Sequence, residues 1–177
     1  MNEHIEVFIS KEEIAAKVKE LGAIIRDDYK DKHLVVLGTL KGSSIFMADL
    51  IRELGTNVTL EFIRVSSYGN STRPEDKIRF EQTYELDIVH KHVLLIEDII
   101  DTGKTIHFLV NYLKGFKPKS LKVCTLLDKP SRREIDNVTG DYIGFTLPDE
   151  FVVGYGLDYA QKYRNLPYIG ILRLKEV

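Results

Sequence analysis

Val93-Leu-Leu-Ile-Glu-Asp-Ile-Ile-Asp-Thr-Gly-Lys-Thr105 decides the fold. Its opening residues, 93–96, form a short apolar run suited to a strand covered on both faces, as in parallel sheets flanked by helices. At the carboxyl end of that strand stand two acids, Glu97 and Asp98, with a third, Asp101, shortly after. Thr102, Gly103, Lys104 and Thr105 then form a small-residue turn. It opens a helix that carries Ile106, Leu109, Val110 and Leu113 at helical spacing. Open parallel sheets bind their ligands at this edge. Backbone N–H groups at a helix N-terminus point outward and Gly103 lets an anion approach the chain closely, so the turn suits a monophosphate. It is not a Walker A loop. That motif needs a glycine five positions before Gly103, where this chain has Asp98, and a triphosphate would meet three carboxylates. The acids suit neighbouring sugar hydroxyls, which donate to carboxylates, and a divalent cation drawn by the same charge. An isolated pair of acids is ordinary solvated surface; the strand end, the third acid and the turn together favour a site for a sugar phosphate with a metal.

Working outward, the same alternation of strand and helix continues. Ser10 and Glu13 have capping-box spacing, and Ile14, Val18, Leu21 and Ile25 recur at helical intervals, which predicts a helix over 11–29. The run 33–37 reads as a buried strand that stops at Gly38. Met47, Leu50, Ile51 and Leu54 mark a helix ended by Gly55, and 58–65 returns to strand composition. Residues 66–77, SSYGNSTRPEDK, are polar and about as long as a structureless connection becomes in a compact domain. They read as a lid at the tip of a hairpin whose returning arm is 80–86. A further strand is expected over 121–127. The order implies an α/β fold with a parallel twisted sheet and helices on both faces. The short apolar runs at 142–145, 151–153 and 168–172 predict a small cap on that sheet.

The chain has 177 residues, the size of one domain, and would bury roughly 70% of its unfolded surface. With 44% hydrophobic and 29% charged residues, 12 Gly and 5 Pro, the composition excludes disordered and collagenous classes. The 25 basic and 27 acidic side chains leave a net charge of −2, the wrong sign for gripping a nucleic acid duplex across the whole surface. A local basic site remains open. A single cysteine, Cys124, forms no intramolecular disulfide and reads as inert core. The N-terminus lacks the pattern of a secretory signal, and no apolar stretch approaches the roughly 20 residues of a membrane span. A cytoplasmic protein with no membrane partner is expected. His90 and His92 have no further ligand at zinc spacing, and Arg132-Arg133 reads as a solvated turn.

Ile96-Glu-Asp-Ile-Ile-Asp-Thr-Gly-Lys-Thr105 resembles the phosphoribosyl-pyrophosphate binding motif of the type I phosphoribosyltransferases. The rest of the chain is similar to the hypoxanthine (hypoxanthine-guanine) phosphoribosyltransferase family. Gly38-Thr-Leu-Lys-Gly42, Ser67-Tyr68, Asp128-Lys129, Phe151-Val-Val-Gly-Tyr-Gly-Leu-Asp-Tyr159 and Arg164 carry that resemblance in order. It implies a single phosphoribosyltransferase domain over 1–177, with a core of about 11–129, a hood from about 1–10 and 130–177, and a flexible lid. It also implies purine salvage. A purine base displaces pyrophosphate from phosphoribosyl pyrophosphate through an oxocarbenium-like transition state.

By the same resemblance, Glu97 and Asp98 hold the ribose hydroxyls and a metal, and Asp101 is the acid or base at purine N7. Asp101, Thr102, Gly103, Lys104 and Thr105 bind the 5-phosphate. Leu40, Lys41 and Gly42 bind pyrophosphate with Arg164, across a non-proline cis peptide between Leu40 and Lys41. Lys129 meets the purine 6-oxo group, Phe151 stacks on the ring, the Val152 backbone meets its edge, and Asp158 serves the base pocket and a second magnesium. Ser67 and Tyr68 are the lid contacts that exclude water. An ammonium at Lys129 accepts hypoxanthine or guanine and disfavours adenine, whose amino group would leave a buried donor unpaired at a cost of about 1 to 3 kcal/mol. The cofactor implied is Mg2+, and the assembly a homodimer or homotetramer. Two other readings stay open: a regulator of the same fold that senses phosphoribosyl pyrophosphate and binds nucleic acid, and an enzyme preferring xanthine or guanine. The charge of −2, the lack of an appended helix-turn-helix segment, and the presence of both Asp101 and Lys129 weigh against the regulator.

Overall fold

A computed structural model describes residues 2–55, 57–67, 78–81 and 86–175. Strand β1 (Asn2–Ile9) leads into α1 (Lys11–Asp28), where the Ser10 side chain accepts from the Glu13 amide and the Glu13 carboxylate accepts from the Ser10 amide. The helix buries Ile14, Val18, Leu21 and Ile25, the stripe the spacing predicts. Next come β2 (Leu34–Leu40), the short α2 (Ser44–Leu50) with a 3-10 turn at Ile51–Glu53, and β3 (Val58–Ser67). They are followed by β4 (Ile78–Glu81), β5 (His92–Ile100), α3 (Lys104–Lys114) and β6 (Ser120–Asp128). The chain closes with β7 (Tyr142–Thr146), β8 (Val152–Val153) and β9 (Ile169–Lys175).

Six strands form one sheet in the order β4-β3-β2-β5-β6-β7, parallel throughout except for β4, which runs antiparallel to β3. Both faces are covered. Val36, Leu94 and Ile96 pack with α1 and α2, while Val35, Leu37, Val93 and Leu95 pack with Ile106, Leu109 and Leu113 of α3. Each such fully buried side chain contributes about 1.5 to 3 kcal/mol, which is why the strand sequences read as unbroken apolar runs. A second sheet, β1-β9-β8, joins the two ends of the chain, and its Ile9, Val152, Ile169 and Ile171 share one core with α1 and α2.

Several expectations need correction. The strand expected to stop at Gly38 runs on to Leu40. Gly38 has no side chain because a Cβ there would lie 2.2 Å from Met47 Sδ of α2. The returning arm expected over 80–86 is β4, and Leu86 lies beyond it in the core beside α3. Residues 142–145, expected in the cap, form β7 at the edge of the large sheet, paired with β6. The lid lies outside the described residues from Tyr68 to Lys77, while the Ser67 backbone ends β3. Among the described residues no helix is long and apolar enough to cross a membrane.

Candidate active site

The chain crosses from β2 through α2 to β3 on one side and from β5 through α3 to β6 on the other, with α2 and α3 on opposite faces. Strands β2 and β5 are therefore neighbours whose connections diverge, the arrangement that opens a ligand crevice. Their pairing ends at Gly38 and Ile96, although both strands continue. Into the gap point Thr39 and Glu97, and the Thr39 hydroxyl is 2.7 Å from Glu97 Oε1.

Glu97 and Asp98 thus lie within β5 rather than after it. Glu97 is only 7% exposed, and its Oε2 has no hydrogen-bond partner. Burial, then the charge of Asp98, pushes the Glu97 carboxyl well above the usual carboxylate range. Asp98 is half-buried and raised by burial, although its Oδ1 accepts the Ile99 amide at 2.9 Å. A buried carboxylate oxygen lacking a donor, beside a second carboxylate, fits hydroxyl donors or a divalent cation. Among the described residues no three His, Cys, Asp or Glu converge on one point, so a metal here would lean on ligand oxygens for the rest of its shell.

Beyond β5, Gly103 is the N-cap of α3 at φ 86°; it offers no side-chain cap, and the Lys104 amide donates to Thr102 Oγ1 at 3.4 Å. Glu97, Asp98, Asp101, Thr102, Gly103 and Thr105 line a hollow of about 210 Å³. A neighbouring hollow of about 470 Å³ is lined by Leu40, Gly42, Glu97, Asp98, Asp158 and Arg164, among others. The Leu40–Lys41 peptide is cis. Gly42 is enclosed: a Cβ would lie 1.6 Å from Asp98 Oδ2. On its other side Gly156, at φ 104°, would put a Cβ 2.0 Å from the Gly42 carbonyl oxygen. Lys41 Nζ donates to Gln161 Oε1 at 3.2 Å. Arg164 pairs with Asp158 at 2.7 Å and donates to the Gly156 carbonyl at 2.7 Å.

Lys129, 6% exposed, extends from the end of β6; its amide donates to the Ile100 carbonyl and its Nζ to the Glu150 carbonyl. Next to Glu150, Phe151 is 53% exposed and meets Tyr159 edge-on. An apolar ring left in solvent beside a buried ammonium is a surface prepared for a flat, polar-edged ligand.

The Phosphoribosyl transferase domain family matches residues 9–160. The chain belongs to the phosphoribosyltransferase family. Its relatives include a hypoxanthine-guanine phosphoribosyltransferase of Bacillus subtilis, 49% identical over 95% of this chain and 93% of that one. A hypoxanthine phosphoribosyltransferase of Escherichia coli is 49% identical over 96% of each chain. Among solved structures, a hypoxanthine-guanine phosphoribosyltransferase from Bacillus anthracis superposes with a TM-score of 0.89 at 47% identity, covering 97% of this chain and 100% of that one.

In this phosphoribosyltransferase the expected residues, apart from the lid pair Ser67 and Tyr68, come to one sheet edge from five segments: the ends of β2, β5 and β6, the first turn of α3, and 151–164. Two differ from the sequence reading in their company. Arg164 is not a bare cation, since Asp158 holds it. Of the Arg132-Arg133 pair, expected to be a solvated turn, Arg132 is exposed on a 3-10 turn, whereas Arg133 is largely buried against the end of β5. Arg132 Nε donates to Asp101 Oδ1 at 3.3 Å and Nη1 lies 3.5 Å from Asp149. Arg133, with its side chain 14% exposed, donates to the Ile100 and Asp101 carbonyls and pairs with buried Asp128. The only trace in sequence is that Asp128, at the end of an apolar strand, has to be matched by a cation.

Proposed function

We propose that the protein is a purine-salvage transferase that moves the 5-phosphoribosyl group from phosphoribosyl pyrophosphate to N9 of hypoxanthine, and of guanine, releasing pyrophosphate. The observation that carries this reading is the juxtaposition across β5 and β6. The Lys129 amide is bonded to Ile100, which sets a base-recognising ammonium and the Phe151 ring beside the acids of β5. Near-complete coverage of relatives named for this activity supports it.

The roles follow from chemistry at each place. Amides of residues 101–105, with the Thr102 and Thr105 hydroxyls and Lys104, take the 5-phosphate at the positive end of α3. Glu97 and Asp98 accept from the ribose hydroxyls, and their negative charge favours the carbon that becomes cationic. The purine N9 lone pair forms the bond to that carbon as the bond to pyrophosphate breaks. Asp101, half-buried at the loop, receives the proton the base gives up at N7. Leu40, Lys41, Gly42 and Arg164 receive the pyrophosphate. Lys129 uses one of its three protons on Glu150, which leaves two for the purine 6-oxo oxygen. Phe151 stacks on the ring and the Val152 backbone meets its edge, while Ser67 and Tyr68 serve as lid contacts. Mg2+, when bound, neutralises charge on the departing pyrophosphate; Glu97 and Asp98 would hold one ion through the sugar and Asp158 a second. The active form is a homodimer or homotetramer working in the cytoplasm.

Incubation with phosphoribosyl pyrophosphate, Mg2+ and each purine in turn tests the reading. IMP from hypoxanthine is expected, and its absence overturns the proposal. Brisk AMP formation from adenine would remove Lys129 from base recognition.

A further inference from the structure

Three consecutive carbonyls of the β5–α3 loop are bonded by one segment, residues 129–135. The Ile100 carbonyl accepts from the Lys129 amide at 3.0 Å and from Arg133 Nη1 at 3.1 Å. The Asp101 carbonyl accepts from the same Arg133 nitrogen at 2.5 Å, and Thr102 accepts from the amides of Glu134 and Ile135 at 2.9 and 3.3 Å. Asp128 holds the other arm of the guanidinium, so the fork is fixed at both ends. None of residues 129–135 lines the hollow formed by Glu97, Asp98 and residues 101–105. The peptide unit is planar and trans, so each carbonyl turned toward Arg133 turns the next N–H the opposite way.

We propose that Arg133, oriented by Asp128, is a positioning residue that aims the amides of Asp101 and Thr102 at the 5-phosphate. This rests on the reading of that loop as the phosphate site. The guanidinium bonds two carbonyls and a carboxylate at once, which a single ammonium cannot reproduce with the same planar fork. It packs closely as well: a Cβ on Gly103 would lie 2.9 Å from Arg133 Cδ. Because Asp128 and Lys129 adjoin, the segment that presents the base-recognising lysine also sets the phosphate loop.

The test measures ribose 5-phosphate binding to the full chain by calorimetry, beside KM for each substrate, in Arg133→Ala, Arg133→Lys and Asp128→Asn. Arg133→Ala is expected to weaken ribose 5-phosphate at least about tenfold and to raise KM for phosphoribosyl pyrophosphate by a similar factor. KM for hypoxanthine should move less than about threefold, and added guanidinium ion at millimolar levels should restore part of the binding. Arg133→Lys and Asp128→Asn should fall between Arg133→Ala and the unaltered chain, and they decide the matter if Arg133→Ala does not fold. A folded Arg133 variant that binds ribose 5-phosphate as the unaltered chain does overturns the inference. If the unaltered chain makes no IMP, the proposed function fails, while ribose 5-phosphate binding still judges Arg133 on its own.

Discussion

The loops after β2 and after β5 leave the same edge of the same sheet toward helices, yet they are built differently. After β2, Leu40 and Lys41 are exposed and Gly42 is pressed between the Asp98 carboxylate and the Gly156 backbone. Like α3, the α2 that follows has no side-chain N-cap bond. After β5, the carbonyls of residues 100–102 are held from behind by residues 129–135. There glycine serves the φ of 86° at Gly103, and its side-chain neighbours are Arg133 and Val138. Topology places both loops at the ligand edge, and what packs behind each decides which chemistry it offers. One is tightly enclosed and the other is braced from behind.

The largest effect is expected where the β2 loop is tightest. Gly42→Ala puts a methyl 1.6 Å from Asp98 Oδ2, so the loop or the carboxylate must shift by an ångström or more. kcat/KM should fall about a hundredfold, and steady-state kinetics with phosphoribosyl pyrophosphate checks it. Asp101→Asn, which leaves the β5 loop backbone in place, should lower turnover at least about tenfold with phosphoribosyl pyrophosphate binding largely intact. An unchanged rate removes Asp101 from the chemistry. Gly103→Ala meets a left-handed φ and the far part of an arginine side chain rather than a carboxylate. A loss of about 1 to 2 kcal/mol in urea unfolding is expected, and a loss of activity as great as that of Gly42→Ala would erase the contrast between the loops. The smallest change lies outside both. Ser10→Ala removes the α1 capping box and should cost about 1 kcal/mol of stability with kinetics unaltered, which separates a stability loss from a loop effect.

Much of this was legible along the chain. The apolar run of β5, the capping box of α1 and the helical stripe of α3 are local signals, and the structure has each element within a few residues of its expected place. The acids, the small-residue turn and the motif resemblance marked the β5 edge. Errors fell where local pattern is ambiguous. Gly38 looks like a strand end, but it is a strand interior that Met47 approaches closely. The run 142–145 is a good strand whose apolar pattern does not say which sheet it joins, and pairing with β6 places it in the large one. Arg133 looked solvated because the carbonyls it satisfies lie more than thirty residues earlier in the chain.

The sequence by itself determined the β5 strand, helices α1 and α3, the ligand-binding edge and the residue types available there, because periodicity, caps and turn residues act over about ten positions or fewer. Only the tertiary structure decided three things: that Arg133, paired with Asp128, bonds the Ile100 and Asp101 carbonyls, that Arg164 arrives paired with Asp158, and that Gly42 is held between Asp98 and Gly156. Each concerns a buried polar or backbone group. Such a group has to find a partner when it leaves water, and its partner comes from whichever distant segment the fold returns to its side.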